Sequence, residues 1–295
     1  MDRGLIRSAV ALALLMAATP ALAQQAATPG REGQVGEDDP TDHLHLPGYE
    51  ERGPGRSSLT LEIAPELISH NPLRPGTQTS NALDLTLLFA TIQPIGSGLE
   101  VEFDAGGTKT IDNGSSSSLA ANVELRSRPG ESGFSGFLGY TIARDYADFF
   151  DEGLATTQTF IGGARYGHSF GKTAIGFELA PRWRISTDDA DEHVAVNLMG
   201  EVVTPVITDD ILFILEVSGE RRWFQHVDPV VLERRSDWRF ATYAGLDLSG
   251  AVDPRHRWLH DLTIGGEWLE VSSNFDGADV SDLAFLPAVS IGISF

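Results

Sequence analysis

Cysteine is absent from the 295 residues, which excludes a disulfide framework, thiolate zinc sites, iron–sulfur clusters and a cysteine nucleophile. Basic side chains are scarce: 21 lysines and arginines stand against 42 aspartates and glutamates, a formal net charge of −21. Nucleic-acid binding needs a basic surface, so nucleic acid is excluded as a partner. A long apolar run is also missing. Beyond residue 23 no segment has the length of a membrane helix, and the mean hydropathy is −0.09, which excludes helical spans. Transmembrane strands stay open, because alternating residues average to neutral hydropathy. At 41% hydrophobic, the chain has enough apolar surface to bury a core or face lipid.

Residues 1–23 read as a secretory signal peptide. Arg3 and Arg7 form a basic start, residues 9–18 an apolar stretch, and Ala21-Leu22-Ala23 a small-x-small cleavage site. Residues 24–56 are rich in Pro, Gly, Asp and Glu without periodicity, and read as a mobile periplasmic tail. Within it Asp42-His43-Leu44-His45 lacks further ligands to complete a metal shell. No metal or cofactor is expected.

From Ser57 onward the hydrophobic period is two. Leu59, Leu61 and Ile63 begin it; Leu83, Leu85, Leu87 and Phe89 repeat it, as do Leu99, Val101, Phe103 and Ala105. The pattern recurs to Leu283, Phe285, Val289, Ile291 and Ile293, giving twelve candidate strands. An even number suits an all-β, closed antiparallel transmembrane barrel over 57–295, with both ends on one side. Links also alternate. Acidic or longer ones (69–81, 110–117, 145–154, 187–193, 223–236, 273–282) follow the odd strands, and tighter ones such as Phe170-Gly171-Lys172 and Asp253-Pro254-Arg255 follow the even strands. Short periplasmic turns and longer extracellular loops have this asymmetry.

The two faces of the strands differ in charge. Between the interfacial belts the apolar positions named above include no Asp, Glu, Lys or Arg, whereas the opposite parity holds many acids and the arginines 126, 165, 182, 184, 222 and 239. A charge facing mid-membrane lipid costs ~2–4 kcal/mol, and one facing a wet lumen costs little. Trp258 and Trp268 are ten residues apart on one face, as are Phe285 and Phe295; ten tilted strand residues span about 25 Å, the height of an apolar band. The same threading sets Trp183, Trp223 and Trp238 at the outer rim.

The last strand, Pro287-Ala-Val289-Ser-Ile291-Gly-Ile293-Ser-Phe295, resembles the terminal strand of Gram-negative outer-membrane β-barrels. The resemblance implies residence in the outer membrane among lipid and lipopolysaccharide, and recognition of Phe295 by the barrel-assembly machinery. Pro287 departs from the usual aromatic or aliphatic residue at that step. Members of similar strand number include small-solute channels and lipid-cleaving enzymes.

Three functions are therefore compared. In a channel, Glu62, Glu102, Asp104, Glu124, Glu178, Glu216 and Arg165 fall near mid-height, and six acids with one arginine favour small polar cations. In a closed barrel serving as a surface, structural or adhesin protein, Arg165, Arg182 and Arg184 pair with acids, and Asp276, Asp279 and Asp282 bridge cations to lipopolysaccharide. In a lipid hydrolase a Ser–His–acid set is required, but His168 and Ser169 are adjacent and point to opposite faces; no catalytic residue is assigned. The channel is the reading the lumen supports, with an unidentified solute. Finally, Pro65 and Pro287 lie in the two strands that close the barrel, each eight residues above the lower rim. Proline cannot donate to a ladder, so a bulged or partly unpaired gap is expected at that height, either as two bulges with no transport role or as an opening through which an apolar solute could leave sideways.

Overall fold

The computed structural model describes residues 57–70, 80–96, 98–111, 116–127, 133–147, 152–227, 232–253, 258–275 and 279–294. The expected signal peptide and tail (1–56), Asp276 and Phe295 lie outside the described residues. Twelve strands follow in chain order: β1 (Ser57–His70), β2 (Ser80–Ile95), β3 (Leu99–Ile111), β4 (Ser116–Ser127), β5 (Phe134–Ala147), β6 (Glu152–Phe170), β7 (Thr173–Ser186), β8 (His193–Pro205), β9 (Leu212–Val227), β10 (Arg234–Asp247), β11 (Leu259–Ser273) and β12 (Val280–Ser294). Each pairs antiparallel with its sequence neighbours, and β1 pairs with β12, so the sheet closes. No described helix is long and apolar enough to cross a membrane.

The burial pattern is inverted relative to a water-soluble barrel. Leu87, Phe177, Leu198 and Phe240 are 53%, 51%, 58% and 52% exposed, whereas Glu102, Asp104 and Glu178 are 4%, 3% and 4% exposed. Only a lipid surround makes such an exterior favourable, and closure leaves no edge with unpaired backbone in hydrocarbon. This is the architecture of an outer-membrane β-barrel. We call the end holding the start of β1 and the end of β12 the lower end.

The tightest link, residues 171–172, lies at the lower end, with Gly171 at φ +63°. Some residues expected in the upper loops belong to strands instead, for example Asp145–Ala147 in β5 and Trp223–Val227 in β9. One lower connection is longer than the Asp253-Pro-Arg255 turn read from the sequence. It runs over residues 248–258 and contains a short helix, α1 (Ser249–Val252). Two aspartates hold it: Asp247 Oδ1 accepts from Ser249 N at 2.8 Å, and Asp253 Oδ2 accepts from Trp258 N at 3.1 Å.

The closing seam has a defect. β1 and β12 pair from Ser58↔Ser294 to Ile63↔Val289, then resume in unchanged register at Leu67↔Phe285. That register sets Pro65 directly opposite Pro287. Both N–H donors of one hydrogen-bonded pair are therefore missing, and with them the bridges of the positions on either side. Pairing of β1 with β2 and of β11 with β12 continues past both prolines, because there the bonds come from the alternate residues. A lesser interruption lies between β6 and β7, where Ile161↔Arg182 is followed by Ala164↔Leu179. There a single proline, Pro181, faces Gly162.

Candidate functional site

The inward side chains divide the lumen into two unlike walls. On β3–β7 arginines are matched to acids. Arg126 Nε donates to Glu100 Oε2 at 3.2 Å and its Nη1 to Glu102 Oε2 at 3.0 Å. Arg165 grips Glu124 with two bonds, Nη1 to Oε1 at 2.6 Å and Nη2 to Oε2 at 3.0 Å, while its Nε donates to Glu178 Oε2 at 2.7 Å. The geometry follows from register. Glu178 is the direct partner of Arg165 on β7, whereas Glu124 lies on β4, beyond the whole of β5. Arg165 crosses β5 over Phe137, its guanidinium carbon 3.8 Å from the ring centroid. Gly139, the β5 residue opposite Glu124, adds no side chain to that wall. One guanidinium thus ties β4, β6 and β7 together.

The opposite wall, on the lower part of β8–β11 and on β1, is acidic. Glu201 pairs in register with Glu216, Glu216 with Tyr243, and Tyr243 with Glu267. Asp261 pairs with Ser290, and Ser290 with Glu62. Asp247 lies four residues below Tyr243. No lysine or arginine occupies an inward position on this part of the wall among the described residues. Tyr243 lies across Gly245 and Gly265: a Cβ on Gly245 would come within 2.3 Å of its hydroxyl, and one on Gly265 within 2.5 Å of its ring. Two glycines therefore let the ring lie against the wall rather than project into the lumen.

At the upper mouth charges of both signs meet. Arg222 pairs with Glu220, which also has Arg182 at 3.7 Å; Arg184 meets Asp191 at 2.8 Å, and Arg235 meets Asp237 at 2.9 Å. Below the mouth, Ala174, Met199 and Val203 pack with Leu212 and Ile214 into a small apolar cluster inside the lower end.

The sequence-derived lumen residues fall into different settings. Glu102, Glu124, Glu178 and Arg165 meet in the ion-paired wall, with Asp104 directly above Glu102 on β3. Glu62 and Glu216 belong to the acidic wall, and Arg182 to the mouth. The aromatics Trp183, Trp223, Trp238, Trp258, Trp268 and Phe285 are all about half exposed on the outside. His168 lies between Tyr166 and Phe170 on the outer surface, with ring centroids 6.4 Å and 4.5 Å away, as a belt residue. His193 Nδ1 lies 2.8 Å from Asp191 O, and His226 Nε2 lies 2.6 Å from Glu192 Oε2.

The outward charge of Arg221 escaped the sequence reading. Arg221 pairs in register with Trp238 and Val196, which are 48% and 37% exposed, so it shares their lipid-facing side. The signal was the doublet Arg221-Arg222: adjacent strand residues face opposite ways, so one of the two must point outward.

No family model and no curated protein matches the chain. In structure it is similar to an outer membrane channel from Pseudomonas putida F1, with 12% identity, 85% of this chain and 100% of that chain covered, and a TM-score of 0.49. It is also similar to LpxR from Salmonella typhimurium (10% identity, 79% and 99% covered, TM-score 0.41). A third is the translocator domain of the autotransporter NalP from Neisseria meningitidis (12% identity, 84% and 91% covered, TM-score 0.44).

Proposed function

We propose that the barrel is an outer-membrane channel for small polar solutes and prefers cations. The observation that carries this reading is the inequality of the two walls. On the β3–β7 wall the four carboxylates Glu100, Glu102, Glu124 and Glu178 share two guanidinium groups, Arg126 and Arg165, so half of their charge is offset. The six carboxylates Glu62, Glu201, Glu216, Asp247, Asp261 and Glu267 line the lower part of the other wall, where no lysine or arginine holds an inward strand position among the described residues, and fixed negative charge around a narrow, low-dielectric passage concentrates cations. Tyr243, laid flat over its glycines, keeps the passage beside them clear.

Planar-bilayer conductance of the refolded chain in asymmetric KCl tests this. A reversal potential on the potassium side is expected, with a shift toward zero when Glu201, Glu216 and Glu267 are changed together to Gln. A silent barrel would overturn the reading. A second reading, a closed barrel with a surface or structural role, is favoured by the burial of Glu100, Glu102, Asp104 and Arg126, each 6% exposed or less. It expects silence in the same experiment. A lipid hydrolase gains no support from His168, His193 or His226, whose neighbours are given above.

A further inference from the structure

Three outward basic side chains of the described strands stand toward the upper ends of their strands: Lys109, two residues before the end of β3; Arg144, three before the end of β5; and Arg221 on β9, two below Trp223. Arg221 has the most elaborate surroundings. Its Nη2 donates to Ser236 Oγ at 2.9 Å, and its guanidinium carbon lies 5.0 Å from the Trp238 ring centroid and 5.8 Å from that of Trp223. Among the described residues none of these contacts is with a carboxylate, unlike those of its neighbour Arg222.

A guanidinium has five N–H donors in a planar fork, and Ser236 takes one. The ring faces orient the cation but supply no hydrogen-bond acceptor. Trp side chains half exposed at the end of the apolar band mark the membrane–water interface, so the free edge of Arg221 is held at headgroup depth. Water there competes with a far better partner. Phosphate oxygens match the guanidinium fork two at a time, and lipid phosphates are concentrated in this layer.

We infer that Arg221, framed by Trp223 and Trp238 and fixed by Ser236, is a binding site for the phosphate of a lipid headgroup in the outer leaflet. The site depends on the barrel lying in a membrane and is independent of whether the lumen conducts. Its two tryptophans make it self-reporting.

The test uses the refolded chain in maltoside micelles, with Trp183, Trp258 and Trp268 changed to Phe so that emission comes from the site. Dimyristoyl phosphatidic acid is titrated in, against dimyristoyl glycerol and inorganic phosphate. A saturable change with the phosphatidic acid alone is expected. Arg221→Gln should weaken it about tenfold or more, the size expected of one charge-assisted pair, and Arg144→Gln should leave it unchanged. The phosphorus retained per barrel after size exclusion, in otherwise unsubstituted protein, is a second readout and should be lower for Arg221→Gln. Correct folding of each variant is read from its heat-modifiable gel band. An unaltered titration in Arg221→Gln, equal losses in the two arginine variants, or an equal response to inorganic phosphate would each overturn the assignment.

Discussion

Restoring the two missing donors at the seam should stabilise the barrel, and the size of the gain can be worked out. Pro65→Val and Pro287→Val each return one N–H to a register that is already in place, since the pairs Ile63↔Val289 and Leu67↔Phe285 flank the gap without a shift. Valine suits an outward position in a strand that faces lipid. A hydrogen bond contributes about 1 kcal/mol net, and more where the alternative is a carbonyl left facing hydrocarbon. Against this, losing a proline loosens the unfolded chain by ~0.4–1 kcal/mol per site. Two bonds of ~1–2 kcal/mol each, less that offset, leave about 1–2 kcal/mol for the double variant and roughly half for each single one. The assay is equilibrium urea unfolding in micelles, followed by tryptophan emission, with amide exchange at the two new valines as a local readout. Protected amides and a raised midpoint are expected. Unprotected amides with an unchanged or lowered midpoint would refute the reasoning, because the gap would then have a cause other than the absent donors.

Four further outcomes follow from the interior and the chain end. Arg165→Met should destabilise the barrel by ~3–5 kcal/mol, since it leaves Glu124 and Glu178 buried without their cation; adding Glu124→Gln and Glu178→Gln should recover much of the loss in the same urea assay. In bilayers, Glu102→Gln with Glu124→Gln should move the reversal potential less than Glu216→Gln with Glu267→Gln, and the reverse order would assign selectivity to the ion-paired wall. Gly265→Val should lower conductance per channel by displacing the Tyr243 ring into the lumen, whereas Gly265→Val with Tyr243→Ala should restore it. Removing Phe295 should reduce the heat-modifiable fraction recovered in outer membranes, as the resemblance of the last strand implies.

Much of the fold was legible because a barrel obeys a period of two along its whole length. Leu59, Leu61 and Ile63 could be assigned outward and Glu62 inward without any tertiary information, and the same parity put Pro65 and Pro287 at one height on the closing strands. Contacts that skip a strand were not legible. Glu178 is a cross-strand neighbour of Arg165 and can be guessed from a hairpin, but Glu124 is reached only across β5, which requires the curvature of the closed sheet and the small footprint of Gly139. Arg221 was missed for a simpler reason: the lipid face was read from its apolar positions, and of the doublet only Arg222 was given a face. The connection through α1 was underestimated because its length is set by side-chain acceptors, Asp247 and Asp253, rather than by the Pro-Arg turn signal beside them.

The register of the acidic wall has a further consequence. Glu201 and Glu216 are directly opposite on β8 and β9, a placement in which like charges destabilise a sheet. The barrel elsewhere avoids that cost: Glu102 and Glu124 are also directly opposite on β3 and β4, and there Arg126 and Arg165 each take one of the two. The difference is not a shortage of arginine, since Arg239 and Arg222 occupy the upper part of the same wall, four and six residues above Glu216 in register, beside Glu220. A wall built for rigidity alone would carry the same solution at both places. In register Glu201 and Glu216 lie four residues below Arg239, so their negative charge faces the lumen, where a mobile cation lowers the repulsion as it passes. The energetic penalty and the proposed selectivity then have one origin. Glu201→Gln should both stabilise the barrel toward urea and weaken its preference for cations, and a variant that did only the first would separate them.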